Sequence, residues 1–298
     1  MSDKEQPADA LTAAELAEIE RRLGDKVAAY TTIITKIEPN DERNPPGDLH
    51  GSGSYIEFDG QKYLITCDHV AESCRNAELC AHFHGSDVAY NLPNPFTGFK
   101  YPQDFSITAI TENTWKLVNH QAEAISIDLL SERHSPAKAE LMYVAGFPWA
   151  MSRVWPGDPA DADGKATESG VQFYTTIAIM CEIREEFDPA LDEEVPRPTP
   201  EEHFLLPYTP EHAVYMSGPE SSVLPRAPGM SGSLVWNTRY WEITRAGGLW
   251  QPEDARVTGI IWGNSTKAGV LVATPVEDIW VLIGRVRKNL EEGRNYWD

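Results

Sequence analysis

Residues 51–70 read GSGSYIEFDGQKYLITCDHV. Gly and Ser open the stretch, and two apolar-rich runs follow, parted by Asp59-Gly60. Asp-Gly between two such runs is the strongest short-range hairpin signal, because both central residues of a type I′ turn take positive φ. The stretch predicts antiparallel strands at Tyr55–Phe58 and Gln61–Thr66, with His69 just past the second.

Outward from this hairpin, short β-rich runs recur. Val27–Ile37 carries the β-branched series Thr31, Thr32, Ile33, Ile34 and Thr35. Further strands are predicted at Ser106–Ile110, Leu141–Ala145, Val171–Ile183, Ser233–Trp236, Arg256–Trp262 and Val270–Ala273, with a loop over residues 39–50. Many short strands with turns between them point to an all-β barrel or sandwich. No internal repeat is visible. Helices are predicted only at the two ends. Thr12-Ala-Ala-Glu15 is a capping box for a helix through Leu23, stopped by Gly24. Near the C-terminus Thr274 reads as an N-cap, Pro275 as the first helical residue and Glu277 as the partner in a capping box. Val276, Ile279, Trp280, Ile283 and Leu290 form its expected apolar face.

The chain has 298 residues, 41% of them hydrophobic and 24% charged. At about 150 residues per domain this is two domains or one double-barrel unit, with ample material for a core. The net charge is −21, from 46 acidic against 25 basic residues. Such a surface repels phosphate backbones and anionic lipid, so neither nucleic acid nor membrane is an expected partner. No apolar run is long enough to span a bilayer. Residues 185–202 hold eight acids, one Arg and four prolines, and supply a third of the net charge. That composition reads as a solvated loop.

Cys67, Cys74, Cys80 and Cys181 are even in number. A chain of this size needs no staples, and a start lacking a basic and apolar leader reads as a protein of the reducing cytoplasm, so disulfides are not expected. Cys74, Cys80, His82 and His84 have no common zinc spacing, and no metal is expected there.

Three segments carry chemistry together. Gly229-Met230-Ser231-Gly232 sets a serine between glycines before a strand. Such a turn can aim the N–H groups of Gly229 and Ser231 at one point, as an oxyanion hole does. A serine hydroxyl also needs a base. All eight histidines (50, 69, 82, 84, 120, 134, 203 and 212) precede Ser231. This order excludes the α/β-hydrolase arrangement, and GMSGS fails its G-x-S-x-G elbow. The Asp–His–Ser order of subtilisin belongs to an α/β fold that the β-rich pattern disfavours. His69 at a strand end is the candidate base. Asp104, opening the strand-like DFSITAI, is the candidate orienting acid. Asp128, between apolar residues, is the rival acid; Asp87 is too near His69 in sequence.

These blocks resemble the chymotrypsin/trypsin-like serine peptidases, including their bacterial intracellular members. GSGSYIEFDGQKYLITCDHV resembles the family's histidine block, DFSITAI its aspartate block and PGMSGSLVW its serine block. LMYVAGFP, VTGIIWGN and AGVLVATPVEDIW resemble later strands and the entry to the closing helix. The likeness runs from about residue 28 to 290, with 150–220 unmatched. It implies a mostly β fold: a double six-stranded antiparallel β-barrel with an added helix at each end. Residues 1–26 would be the N-terminal helical extension and 27–137 the first barrel. Residues 138–274 would be the second barrel, with its acidic insert, and 275–298 the C-terminal helix.

The resemblance implies a serine endopeptidase acting through an acyl-enzyme, without metal or cofactor. Ser231 would be the nucleophile, His69 the base, Asp104 the orienting acid, and Gly229 and Ser231 N–H the oxyanion hole. The substrate pocket would involve Arg226, Trp262, Gly263 and Gly269. The expected partners are a protein or peptide substrate and a regulatory protein, with residues 12–23 and the acidic loop as control elements. Two other readings stay open: a catalytically silent binding or sensor module, and an esterase-type hydrolase. The sequence also departs from the family. Met230 stands where zymogens carry an acid, Val70 replaces the cysteine after the histidine, Ser233-Leu234 replaces Gly-Pro, and Asp68 precedes His69.

Overall fold

The computed structural model describes residues 11–42, 46–151, 153–155, 171–173, 177–187, 198–209 and 225–298. Residues 188–197 of the acidic segment, His212, and residues 174–176 within the predicted strand 171–183 lie outside the described residues.

The chain opens with α1 (Ala13–Ala28), capped as the sequence predicts: Glu15 N–H donates to Thr12 Oγ1, and Thr12 N–H to the Glu15 carboxylate. The helix does not stop at Gly24. A Cβ there would lie 3.3 Å from Tyr143 Oη, so glycine lets the helix settle closely on the strand beneath. Burying Leu23 and Val27 on either side outweighs the roughly 1 kcal/mol that a helical glycine costs.

Next come β1 (Thr31–Ile37), β2 (Asp48–Phe58), β3 (Gln61–Thr66), the single turn α2 (Asp68–Ala71), β4 (Glu78–His82), β5 (Ala89–Asn91), β6 (Thr97–Phe99), β7 (Phe105–Ile110), α3 (Glu112–Trp115) and β8 (Ile125–Ser126). The β2–β3 turn has φ of 53° at Asp59 and 76° at Gly60, the left-handed pair that the Asp-Gly signal calls for. The strand order is β5-β4-β1-β2-β3-β7-β6, with β8 beside β2. The ladder is open between β5 and β6. The segment joining them spans that seam: Leu92 N–H donates to Leu79 O, and the Asn94 amide to Ala109 O.

The second half holds β9 (Met142–Gly146), β10 (Arg153–Trp155), β11 (Val171–Phe173), β12 (Ile177–Cys181), β13 (Phe204–Pro207), β14 (Leu234–Asn237), α4 (Tyr240–Arg245), β15 (Arg256–Ser265), β16 (Val270–Pro275) and α5 (Val276–Glu291). The order β12-β9-β14-β15-β16-β13 is antiparallel throughout, and β10 pairs with β11. Just past β12, Arg184 forms a bridge to Leu205 on β13. Among the described residues both sheets are incompletely closed, and the pattern is consistent with a chymotrypsin-like fold.

One apolar cluster runs through both sheets and both terminal helices. It contains Ile19 and Leu23 from α1, Tyr63 and Ile107 from the first sheet, Trp236 from the second and Ile283 from α5. The end helices are therefore core elements. The start of α5 differs from its prediction. Thr274 lies in β16 and gives its hydroxyl to Gln103 O, while Glu277 accepts from His134 N–H. No side chain caps the helix, because β16 runs directly into it. Its buried stripe is Val276, Ile279, Leu282, Ile283, Val286 and Asn289; Leu290 is exposed.

Candidate active site

β3 delivers His69. Thr66, the last residue of the strand, anchors it by donating from Oγ1 to Ser52 O on β2 at 2.7 Å. One helical turn then places His69 over the start of β7. Asp104 Oδ1 accepts from His69 N–H at 2.9 Å, and Oδ2 lies 2.6 Å from His69 Nδ1. An ionised carboxylate only accepts, so this pairing puts the ring proton on Nδ1 and leaves the Nε2 lone pair free. Asp104 is buried and has φ of 50°, a left-handed conformation that aspartate tolerates. The Thr274 hydroxyl steadies the residue before it, so the second sheet helps to aim the acid.

Asp68 now has a structural role. It accepts from Ser106 Oγ at 2.5 Å and ties the helical turn to β7. Burial raises its carboxyl above the usual range. The Ser106 hydrogen bond opposes this, and the nearby Glu72 and Asp104 add to it. Cys67 is fully buried, donates from Sγ to Ile261 O, and has its thiol pushed well up by burial. Donor atoms of Cys67, His69 and Asp104 lie within 4.8 Å of one another, the one such metal-sized group among the described residues. Asp104 is committed to His69 and the thiol to a carbonyl, so packing accounts for the group. Cys74, Cys80, His82 and His84 form no such group among the described residues; Cys80 Sγ donates to Asn91.

The serine loop comes from the second sheet. Gly229 has φ of 101° and Gly232 of 92°. A Cβ would lie 2.4 Å from Phe147 O at the first and 2.0 Å from Ser52 O at the second. Hydrogen bonds fix the direction of each peptide. Pro228 O accepts from Trp149 N–H at 2.7 Å, and Met230 O from Ser233 N–H at 3.0 Å. In a trans peptide the N–H points opposite the C=O. The N–H groups of Gly229 and Ser231 therefore point away from those partners, and neither meets an intramolecular acceptor among the described residues.

Ser231 is half-buried, with its carbonyl held by Ser52 N–H at 2.8 Å. A Cβ on Gly51 would touch both Val70, next to His69, and Ser231 O, so the two halves of the site meet at Gly51. Ser231 Oγ lies 3.4 Å from Trp262 O, and no hydrogen bond joins it to His69 among the described residues.

Around this loop, Trp262 is buried, with ring centroids 5.7 Å from Tyr101 and 5.1 Å from His203. His203 Nε2 bonds to Pro102 O, joining the second sheet to the segment before Asp104. Gly263 pairs with Val272. Gly269 has φ of 63°, and a Cβ there would lie 2.7 Å from Thr209 Cγ2. The Arg226 side chain is exposed. Asp128 is exposed and bonds to Ser126, and Asp87 is exposed; the carboxylate on His69 is Asp104. Ser52, Tyr101, His203 and Thr274 were not evident from the sequence. Ser52 and Thr274 lie inside the quoted blocks, but there the glycine neighbours of Ser52 carry the signal and Thr274 reads as a helix cap.

No protein-family model matches the chain, and no curated protein matches it. Among solved structures it is similar to Rv3671c protease from M. tuberculosis in its active form. The identity is 13%, covering 94% of this chain and 91% of that one, with a TM-score of 0.47. It is also similar to Deg5, at 11% identity over 90% of this chain and 93% of that one, with a TM-score of 0.48.

Proposed function

We propose that this chain is a serine endopeptidase whose triad is Ser231, His69 and Asp104. The observation that carries the reading is the His69–Asp104 pair: one buried carboxylate takes both the backbone and the ring N–H of His69. That leaves the Nε2 lone pair available as a base, and Gly51, which borders both Val70 and Ser231 O, brings the glycine-flanked serine close to this part of the chain.

In this mechanism Ser231 Oγ attacks the scissile carbonyl while His69 Nε2 accepts its proton. The carbonyl oxygen becomes an oxyanion and meets the Gly229 and Ser231 N–H groups. Asp104 keeps the ring in the required tautomer and stabilises the imidazolium. His69 then protonates the leaving amine. Water, deprotonated by His69, cleaves the acyl-enzyme and regenerates Ser231. Trp262, Gly263 and Gly269 wall the substrate pocket. Arg226, being exposed, contributes at its rim.

Incubating the wild type and Ser231→Ala with a diverse peptide library, read by mass spectrometry, tests the reading. Internal cleavage by the wild type alone is the expected result. Ester hydrolysis without peptide cleavage would assign an esterase. No turnover of either substrate would leave the silent binding module.

A further inference from the structure

All four cysteines are free, so no disulfide braces the serine loop. Something else must hold two peptide units in one orientation. The Gly229 end is the weak point. With no Cβ and φ of 101°, glycine resists rotation less than any other residue.

Among the described residues one side chain hydrogen-bonds to it. Ser52, on β2 of the first sheet, is fully buried. Its Oγ donates to Gly229 O at 2.8 Å and accepts from Phe147 N–H at 2.9 Å. Its N–H donates to Ser231 O at 2.8 Å, and its carbonyl accepts from Thr66 Oγ1 at 2.7 Å. Ser52 thus contacts both residues that supply the hole. It also fixes Phe147, two residues before Trp149, whose N–H holds Pro228 O and so turns the Gly229 N–H toward the hole. Through Thr66 the same residue is tied to the strand that delivers His69.

Resting on the serine-hydrolase reading above, we propose that Ser52 is a positioning residue: its hydroxyl holds the Gly229–Met230 peptide, which lies between the two peptides that carry the Gly229 and Ser231 N–H groups, and so keeps those groups in the hole-forming orientation and couples the hole to the first sheet. The loop is then kept in its working geometry by a hydrogen bond between the two halves of the molecule, without proteolytic activation. Ser52 touches no reacting atom and acts only through Gly229 and Ser231. Loss of its hydroxyl leaves Gly229 O and Phe147 N–H without their partner and frees the Gly229–Met230 peptide to rotate, which disturbs the N–H groups on either side of it. Ground-state substrate contacts made elsewhere remain.

The test compares the full-length wild type, Ser52→Ala and Ser52→Thr in peptide turnover. The Gly229 amide resonance is followed in 15N-labelled protein. Ser52→Ala is expected to lose about 100-fold in kcat, the scale of one oxyanion donor, with KM within about threefold. Ser52→Thr keeps the hydroxyl and is expected to recover most of that loss. The Gly229 amide should shift in Ser52→Ala and return toward the wild-type position in Ser52→Thr. If Ser52→Ala does not fold, Ser52→Cys takes its place, and its weaker donor should give an intermediate kcat. A folded Ser52→Ala or Ser52→Cys with wild-type kcat and an unmoved Gly229 amide would overturn the proposal. A wild type without turnover overturns the serine-hydrolase reading instead; the Gly229 amide then still decides for or against Ser52.

Discussion

The two halves of the candidate site are organised by different physics. The His69–Asp104 half sits at the ends of adjacent strands, β3 and β7, and hydrogen bonds to a buried carboxylate define it. The Ser231 half is a loop whose shape depends on two positive-φ glycines and on braces from neighbouring segments. The first half can be weakened by changing one polar atom and leaving the backbone alone. The second is sensitive to any added atom. The division would suit the proposed acyl transfer, in which a base must keep one tautomer whereas oxyanion donors must converge on a point in space.

Single substitutions should separate the halves. Ser231→Ala is expected to abolish the nucleophile and lower kcat by about 10⁶-fold, with melting temperature nearly unchanged. Asp104→Asn keeps the shape but presents an amide to Nδ1, which favours the wrong tautomer; a loss of about 10⁴-fold in kcat is expected from steady-state kinetics. Retained activity in Asp104→Asn would break the first half of the comparison. Gly232→Ala attacks the second half. A Cβ 2.0 Å from Ser52 O at φ of 92° should cost about 3 kcal/mol of stability by strain and overpacking, measured by urea denaturation.

A smaller effect compares the two sheets through pH. Burial lowers His82, on the first, and His134, which stacks on Phe204 of the second, each to about 4. Each histidine is neutral when folded and would protonate near its ordinary value when unfolded. Its contribution is therefore fully present above about pH 6.5 and lost as pH falls toward 4, at up to about 1.4 kcal/mol per pH unit per histidine. Urea midpoints across that range should fall for the wild type. Replacing either histidine with Gln should flatten the slope; an unchanged slope in both variants would remove these residues as the source.

The same contrast explains what could be read from the sequence. The β2–β3 hairpin was legible because Asp59-Gly60 declares its turn locally, and the capping box of α1 because Thr12 and Glu15 are three residues apart. His69, Asp104 and Ser231 stood out because glycine and strand patterns frame them. Gly24 misled because tertiary burial of Leu23 and Val27 overrode a local stop signal. Thr274 misled because its hydroxyl serves Gln103, 171 residues away, instead of the helix that follows. Short β5, β6 and β13 carry too few residues for alternation to show. Ser52 was visible only as part of a glycine-rich motif, since its partners Gly229 and Phe147 become neighbours only when the sheets meet.

In the proposed mechanism Ser231 is a nucleophile activated by His69. Intact-mass analysis and peptide mapping after treatment with a fluorophosphonate test it most directly. The expected result is one adduct per chain, mapped to Ser231, absent in Ser231→Ala and strongly slowed in His69→Ala. An unlabelled, folded wild type, or a label that persists in Ser231→Ala, would contradict it.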